Sequence, residues 1–150
     1  MSVLAKEYSD LDRALDEVRS VLEDWSDTLD DTSVPRSQTI RYAQLVLHEW
    51  IANLLQHATF EDRAPTIRIR LSAEQDQVRC AVIDNSDGFD LAGQLPAQEE
   101  ALEDLPERGM GLRIINACTE HLSYRPTDGG RHRFEFSIPA DHDPWLSMLF

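Results

Sequence analysis

Three polar residues recur four apart in the stretch Leu47-His48-Glu49-Trp50-Ile51-Ala52-Asn53-Leu54-Leu55-Gln56-His57-Ala58: Glu49, Asn53 and His57. On a helix that spacing stacks them in one row. A carboxylate one turn from a carboxamide can serve as a general base beside a metal ligand. The plainer reading of the same row is a solvated helix edge. His48-Glu49 also opens like the zinc motif HExxH, but Ala52 stands where the second histidine belongs, so that reading fails.

Two later stretches add chemistry. Asp84 ends a strand pattern, and Asn85-Ser86-Asp87-Gly88 turns the chain after it. A carboxylate at a sheet rim can accept a hydrogen bond from an exocyclic amine, although Asp before a turn is common for structural reasons alone. Gly109-Met110-Gly111-Leu112 then opens a helix. Glycines at a helix start let backbone N–H groups approach an anion, which the helix N-terminus favours; the same glycines also suit a flexible entry turn.

The elements that position these residues follow from periodicity. Ser2 to Tyr8 reads as an edge strand. Ser9 or Asp10 caps a helix to about Leu29, with Leu11, Leu15, Val18, Leu22 and Trp25 on one face. A second helix runs from about Pro35 to Ala58, with Ile40, Leu47, Ile51, Leu54 and Ala58 on its apolar face. Thr66 to Ser72 alternates, Ile67, Ile69 and Leu71 one way and Arg68 and Arg70 toward solvent. Gln77 to Asp84 is its hairpin partner, with Val78, Cys80 and Val82 on one face. Phe89 to Arg108 is long for an inert connector and reads as a lid or binding loop. A third helix runs to about Glu120, with Leu112, Ile115 and Ala117 packing. Leu122 to Arg125 and Arg131 to Ile138 form a last hairpin around Asp128-Gly129-Gly130, with Phe134, Phe136 and Ile138 inward. The expected fold is an α+β two-layer sandwich: a mixed, mostly antiparallel sheet with helices on one face. Residues 1–150 read as one domain, 139–150 being a C-terminal tail.

Composition narrows the classes. The chain has 150 residues, 28 acidic against 14 basic, for a formal charge of −14. That opposes direct nucleic-acid binding through phosphates. Lys6 is the single lysine; the other basic residues are arginine. Hydrophobic residues make up 41%, ordinary for a packed domain. No apolar run approaches a membrane span and the N-terminus lacks a signal peptide's apolar centre, so the expectation is a cytoplasmic protein without a membrane partner. Cys80 and Cys118 lie far apart and read as buried free thiols.

Taken together, Glu49–Asn53, Asp84 with Gly88-Phe89-Asp90, and Gly109-Met110-Gly111-Leu112 resemble the N, G1 and G2 boxes of the GHKL (Bergerat-fold) ATP-binding family. The resemblance covers about residues 8 to 138. The string Glu107-Arg108-Gly109-Met110-Gly111-Leu112 and the short lid look most like anti-sigma factor serine kinases of the SpoIIAB/RsbW type. The resemblance implies ATP and Mg²⁺ as cofactors. Asp84 would hold the adenine amine, and Gly88 would let the ring approach the backbone. Asn53 would ligate Mg²⁺, and His57 matches a position beside the nucleotide. Gly109, Met110, Gly111 and Leu112 would cradle phosphates. Arg108 would reach the γ-phosphate, and Glu49 would be the base that activates a serine hydroxyl.

Two positions depart from the family pattern. Ser86 stands where a first glycine is expected, and serine tolerates positive φ poorly. Gly130-Arg131 offers no hydroxyl where a Gly-Thr would support the aspartate. The partners implied are a sigma factor and an anti-anti-sigma (STAS) protein. The Trp145 to Phe150 tail would pack on the domain or form a homodimer or partner contact. The alternatives are a non-catalytic nucleotide-gated binding module and a detached histidine-kinase ATP-binding domain.

Overall fold

The computed structural model describes residues 2–29, 37–74, 76–88, 114, 115 and 117–140. In chain order it contains β1 (Ser2–Tyr8), α1 (Leu11–Asp27), α2 (Ser37–His57), β2 (Ile67–Ala73), β3 (Gln77–Asp84), β4 (Glu120–Thr127) and β5 (Arg131–Pro139). Residues 114, 115, 117 and 118 are helical, and Ile115 and Cys118 are buried. Leu112 lies outside the described residues, as do Pro35, the region from Phe89 to Arg113, and the Trp145–Phe150 tail.

α1 begins where the sequence supplies a cap. Asp10 has extended backbone, and its carboxylate accepts from the N–H groups of Asp12 (3.0 Å) and Arg13 (3.4 Å). Two backbone donors that the helix cannot satisfy itself are thereby paired. Leu11, Ala14, Val18, Leu22 and Trp25 form the buried stripe. α2 buries Ile40, Ala43, Val46, Leu47, Trp50, Ile51 and Leu54, a wider apolar face than the 40–47–51–54 series.

The sheet order is β1-β2-β3-β5-β4, and every pairing among the described strands is antiparallel. The expected parallel component is therefore absent among them. β1 is an edge strand, as expected, and β4 is the other edge. β4 runs two residues further at each end than expected. Pro126 is tolerated there because an edge strand has one side without ladder partners.

Alternation divides the sheet into two faces. Ile67, Ile69, Leu71, Val78, Cys80, Val82, Phe134, Phe136 and Ile138 point toward the helices and are buried. Trp50 seats α2 on this face: its ring stacks on Phe134 at a centroid distance of 3.9 Å and meets Tyr124 edge-on at 5.0 Å. Truncating such a side chain to alanine costs about 3–5 kcal/mol. Cys80 and Cys118 are free and buried, as read from the sequence. Burial pushes the Cys80 thiol far above its usual range and the Cys118 thiol up to about 11.

Candidate functional site

Asp84 is the last residue of β3, on the helix-facing side of the sheet, and is completely buried. A buried carboxylate needs donors, and three reach it. The Ser86 N–H donates to Oδ1 at 2.9 Å, the Ser86 hydroxyl donates to the same oxygen, and the Tyr124 hydroxyl donates to Oδ2 at 3.3 Å. Ser86 is itself fully buried, and its Oγ accepts from the Gly88 N–H at 3.1 Å. One serine hydroxyl therefore ties the carboxylate to the turn that follows it. Burial, with the Asp84 charge beside it, holds the Tyr124 phenol above the usual range, so it remains a donor.

This corrects the expectation drawn from Ser86. Among the described residues only Glu61 and His121 are non-glycine residues with positive φ, so Ser86 imposes no such strain. It also bears on the missing threonine. The residue paired with Asp84 across the β3–β5 ladder is His132, one place beyond Arg131. Its Nδ1 lies 3.2 Å from the Ser86 carbonyl oxygen, which can only accept, so the ring donates there. The hydroxyls come instead from Ser86 and Tyr124.

Gly88 has φ +77°, and a Cβ built on it would lie 2.4 Å from Nε2 of His132. Its missing side chain thus faces the imidazole, and no larger residue fits without moving that ring. The His132 and Tyr124 rings are 5.4 Å apart, so the two residues bracket Asp84 and Gly88 from β5 and β4.

The turn is also fastened to the end of α2. The Asp87 N–H donates to the Thr59 carbonyl (2.8 Å), and the Thr59 hydroxyl donates to Asp87 Oδ2 (3.1 Å). Arg63 pairs with Asp87 and donates to the carbonyls of Phe60 (3.3 Å) and Gly130 (3.4 Å). One guanidinium therefore joins the loop after α2, the turn after β3 and the β4–β5 turn, three segments distant along the chain.

On α2, Glu49 and Asn53 are both partly exposed, one turn apart. His48 Nδ1 lies 4.0 Å from Glu49 Oε1. Asn53 Nδ2 is buried with no hydrogen-bond partner among the described residues. Asn53 is three positions on from Trp50, so the two lie on neighbouring parts of the helix surface. His57, the last residue of α2, is exposed and not packed. Phe89, Asp90, Arg108, Gly109, Met110, Gly111 and Leu112 lie outside the described residues.

A concavity of about 640 Å³ lies between the helices, lined in part by Arg19, Glu23, Arg41, Gln44 and His48; Glu49, Asn53 and Asp84 do not line it.

Residues 8–132 match the sequence model of the histidine kinase-like ATPase domain. The chain belongs to that family. Comparison with curated proteins gives no match. The histidine kinase-like ATPase domain is an ATP-binding fold of the GHKL type, and the antiparallel sheet with two helices described above is consistent with it. Its general chemistry is ATP hydrolysis or phosphoryl transfer. No helix among the described residues of this ATPase-type domain is long and apolar enough to cross a membrane.

Two groups bear on a nucleotide and its cation: Asn53, whose Nδ2 is buried without a hydrogen-bond partner among the described residues, and Asp84, whose Oδ2 accepts one hydrogen bond and is fully buried. Sequence reasoning missed Ser86 as a donor, and it missed Tyr124, His132 and Arg63 altogether. Of these only Ser86 left a signal, as a hydroxyl two residues beyond an acid.

Proposed function

We propose that this chain is an ATP-dependent protein serine/threonine kinase acting as an anti-sigma factor, which binds a sigma factor and phosphorylates an anti-anti-sigma (STAS) protein. The observation that carries the reading is Asn53, whose Nδ2 is buried without a hydrogen-bond partner among the described residues, one turn from a partly exposed Glu49 on α2. A metal ligand beside an accessible carboxylate is what phosphoryl transfer to a hydroxyl requires.

In this reading Asp84 accepts the exocyclic amine of adenine at Oδ2. Asn53 would hold Mg²⁺ through its amide oxygen, and the cation, when bound, would neutralise phosphate charge. Gly109, Met110, Gly111 and Leu112 would present backbone donors to the phosphates. Arg108 would stabilise charge on the transferring group. Glu49 takes the proton of the incoming serine hydroxyl as its oxygen bonds to the γ-phosphorus and ADP leaves.

A second reading has its own support. Asp84 is wholly buried and held by three donors, so a base must uncover it before touching it. A pocket closed in this way suits a non-catalytic, nucleotide-gated binding module. The test is incubation with γ-labelled Mg-ATP and a STAS-type protein. The kinase reading expects acid-stable phosphate on that protein, lost in Glu49→Ala. ATP-dependent binding without transfer would favour the gated module. Acid-labile transfer would favour a detached histidine-kinase domain.

A further inference from the structure

The face of the sheet turned away from the helices is charged opposite to the chain as a whole. The net charge is −14, yet Arg68, Arg70, Arg79, Arg125 and Arg133 all lie on this one face by strand alternation and register. Their floor is small: Ala81 pairs with Arg70 and Glu135, and Ser72 pairs with Arg79, which pairs in turn with Ser137. A concavity of about 730 Å³ opens there, lined in part by Arg70, Arg79, Ala81, Arg133, Glu135 and Ser137.

The arginines are not all spent. Arg68 is paired with Glu7, and Arg125 and Arg133 share Glu135. Arg70 and Arg79 are exposed and have no ion pair among the described residues. Charge interactions fade over about 8 Å at physiological ionic strength. A body resting on this face therefore meets the local positive field rather than the acidic surface of α1 beyond the sheet.

We propose that this face docks an acidic segment of a partner protein. Five strands span about 19 Å, too wide for one small anion to satisfy. A polypeptide with several carboxylates can engage Arg70 and Arg79 as bidentate forks. A nucleic acid fits less well: of the rings that border the concavity, Phe136 is buried, which leaves His121 alone for base stacking. A second copy meeting the face symmetrically would set arginine against arginine. The proposal does not depend on the ATP reading, because Asp84 lies on the opposite side of β3 from Arg79.

The test uses the full chain and a fluorescently labelled oligoglutamate peptide, read by anisotropy. Binding is expected, weakening as salt rises, and weakening about tenfold or more in Arg70→Glu/Arg79→Glu. Arg13→Glu/Arg19→Glu on α1 makes the same change in net charge elsewhere and should leave affinity near wild type. Thermal midpoints confirm that both variants fold, with Arg70→Gln/Arg79→Gln replacing the reversal if it does not. Absence of peptide binding overturns the proposal, as does equal weakening in the α1 variant. So does tighter binding of a single-stranded oligonucleotide lost in the same variant, or a dimer broken by that variant without peptide binding.

Discussion

The Tyr124 hydroxyl, on edge strand β4, donates to Asp84 Oδ2 across 3.3 Å, linking residues forty positions apart. Asp84 Oδ1 is already taken by Ser86, so Tyr124 is what orients the remaining oxygen. Tyr124→Phe keeps the ring against Trp50 and removes the hydroxyl that meets Asp84 and Ser86. Hydrogen bonds to charged groups contribute about 1.5–3 kcal/mol. Urea denaturation at neutral pH should show a loss of that order, and ATP should bind more weakly than to wild type. An unchanged midpoint would mean that this hydrogen bond does not form in solution.

Ser86→Gly restores the glycine expected in the family pattern, yet it should not be neutral. It removes the hydroxyl that joins Asp84 Oδ1 to the Gly88 N–H. Leaving a buried carboxylate short of a donor costs about 1–3 kcal/mol. Calorimetric titration should show ATP affinity lower by about tenfold, the equivalent of 1.4 kcal/mol. Equal or tighter binding would show that the glycine was the better residue here.

Gly88→Ala combines two penalties: a positive φ of +77° and a Cβ at 2.4 Å from His132 Nε2. The backbone part costs about 1–2 kcal/mol. The contact part can be separated by a double-mutant cycle with His132→Ala. The double variant should recover the contact part and retain the backbone part. Strict additivity would place the imidazole away from Gly88.

Alkaline pH tests the buried thiol. The Cys118 pKa is raised by burial from 9.0 to about 11 in the fold, so the unfolded chain loses its proton first. The stability this provides is complete below pH 9 and is lost as pH rises from 9 to 11. The slope is about 1.4 kcal/mol per pH unit for one group. Cys118→Ala should flatten the curve by that slope in this window. Cys80, raised further, continues to contribute in the variant. The same slope in variant and wild type would mean that Cys118 ionises freely in the fold.

Periodicity made the layers legible. Ile67, Ile69 and Leu71 against Arg68 and Arg70 gave β2 its two faces directly, and Asp10 marked the start of α1. The site was legible only where local chemistry shows, as with Asp84 before Gly88 or Glu49 and Asn53 one turn apart. Its supports were hidden because they depend on register. His132 faces Asp84 only through the β3–β5 pairing, and Tyr124 reaches it only because β4 lies outside β5. Arg63 sits in a stretch that reads as plain loop, and nothing local says it will hold Asp87 and the Gly130 carbonyl. Ser86 departs from the family pattern, and only the folded turn shows its hydroxyl joining Asp84 to the Gly88 N–H.

The most direct measurement is calorimetric titration of the chain with ATP, with and without magnesium, in parallel with Asp84→Asn. The account predicts binding to wild type that strengthens with magnesium and is abolished in Asp84→Asn, whose amide presents a donor to the adenine amine. Binding of equal strength in wild type and Asp84→Asn would contradict it, as would a wild-type chain that takes up no ATP and keeps Asp84 sealed behind Ser86 and Tyr124.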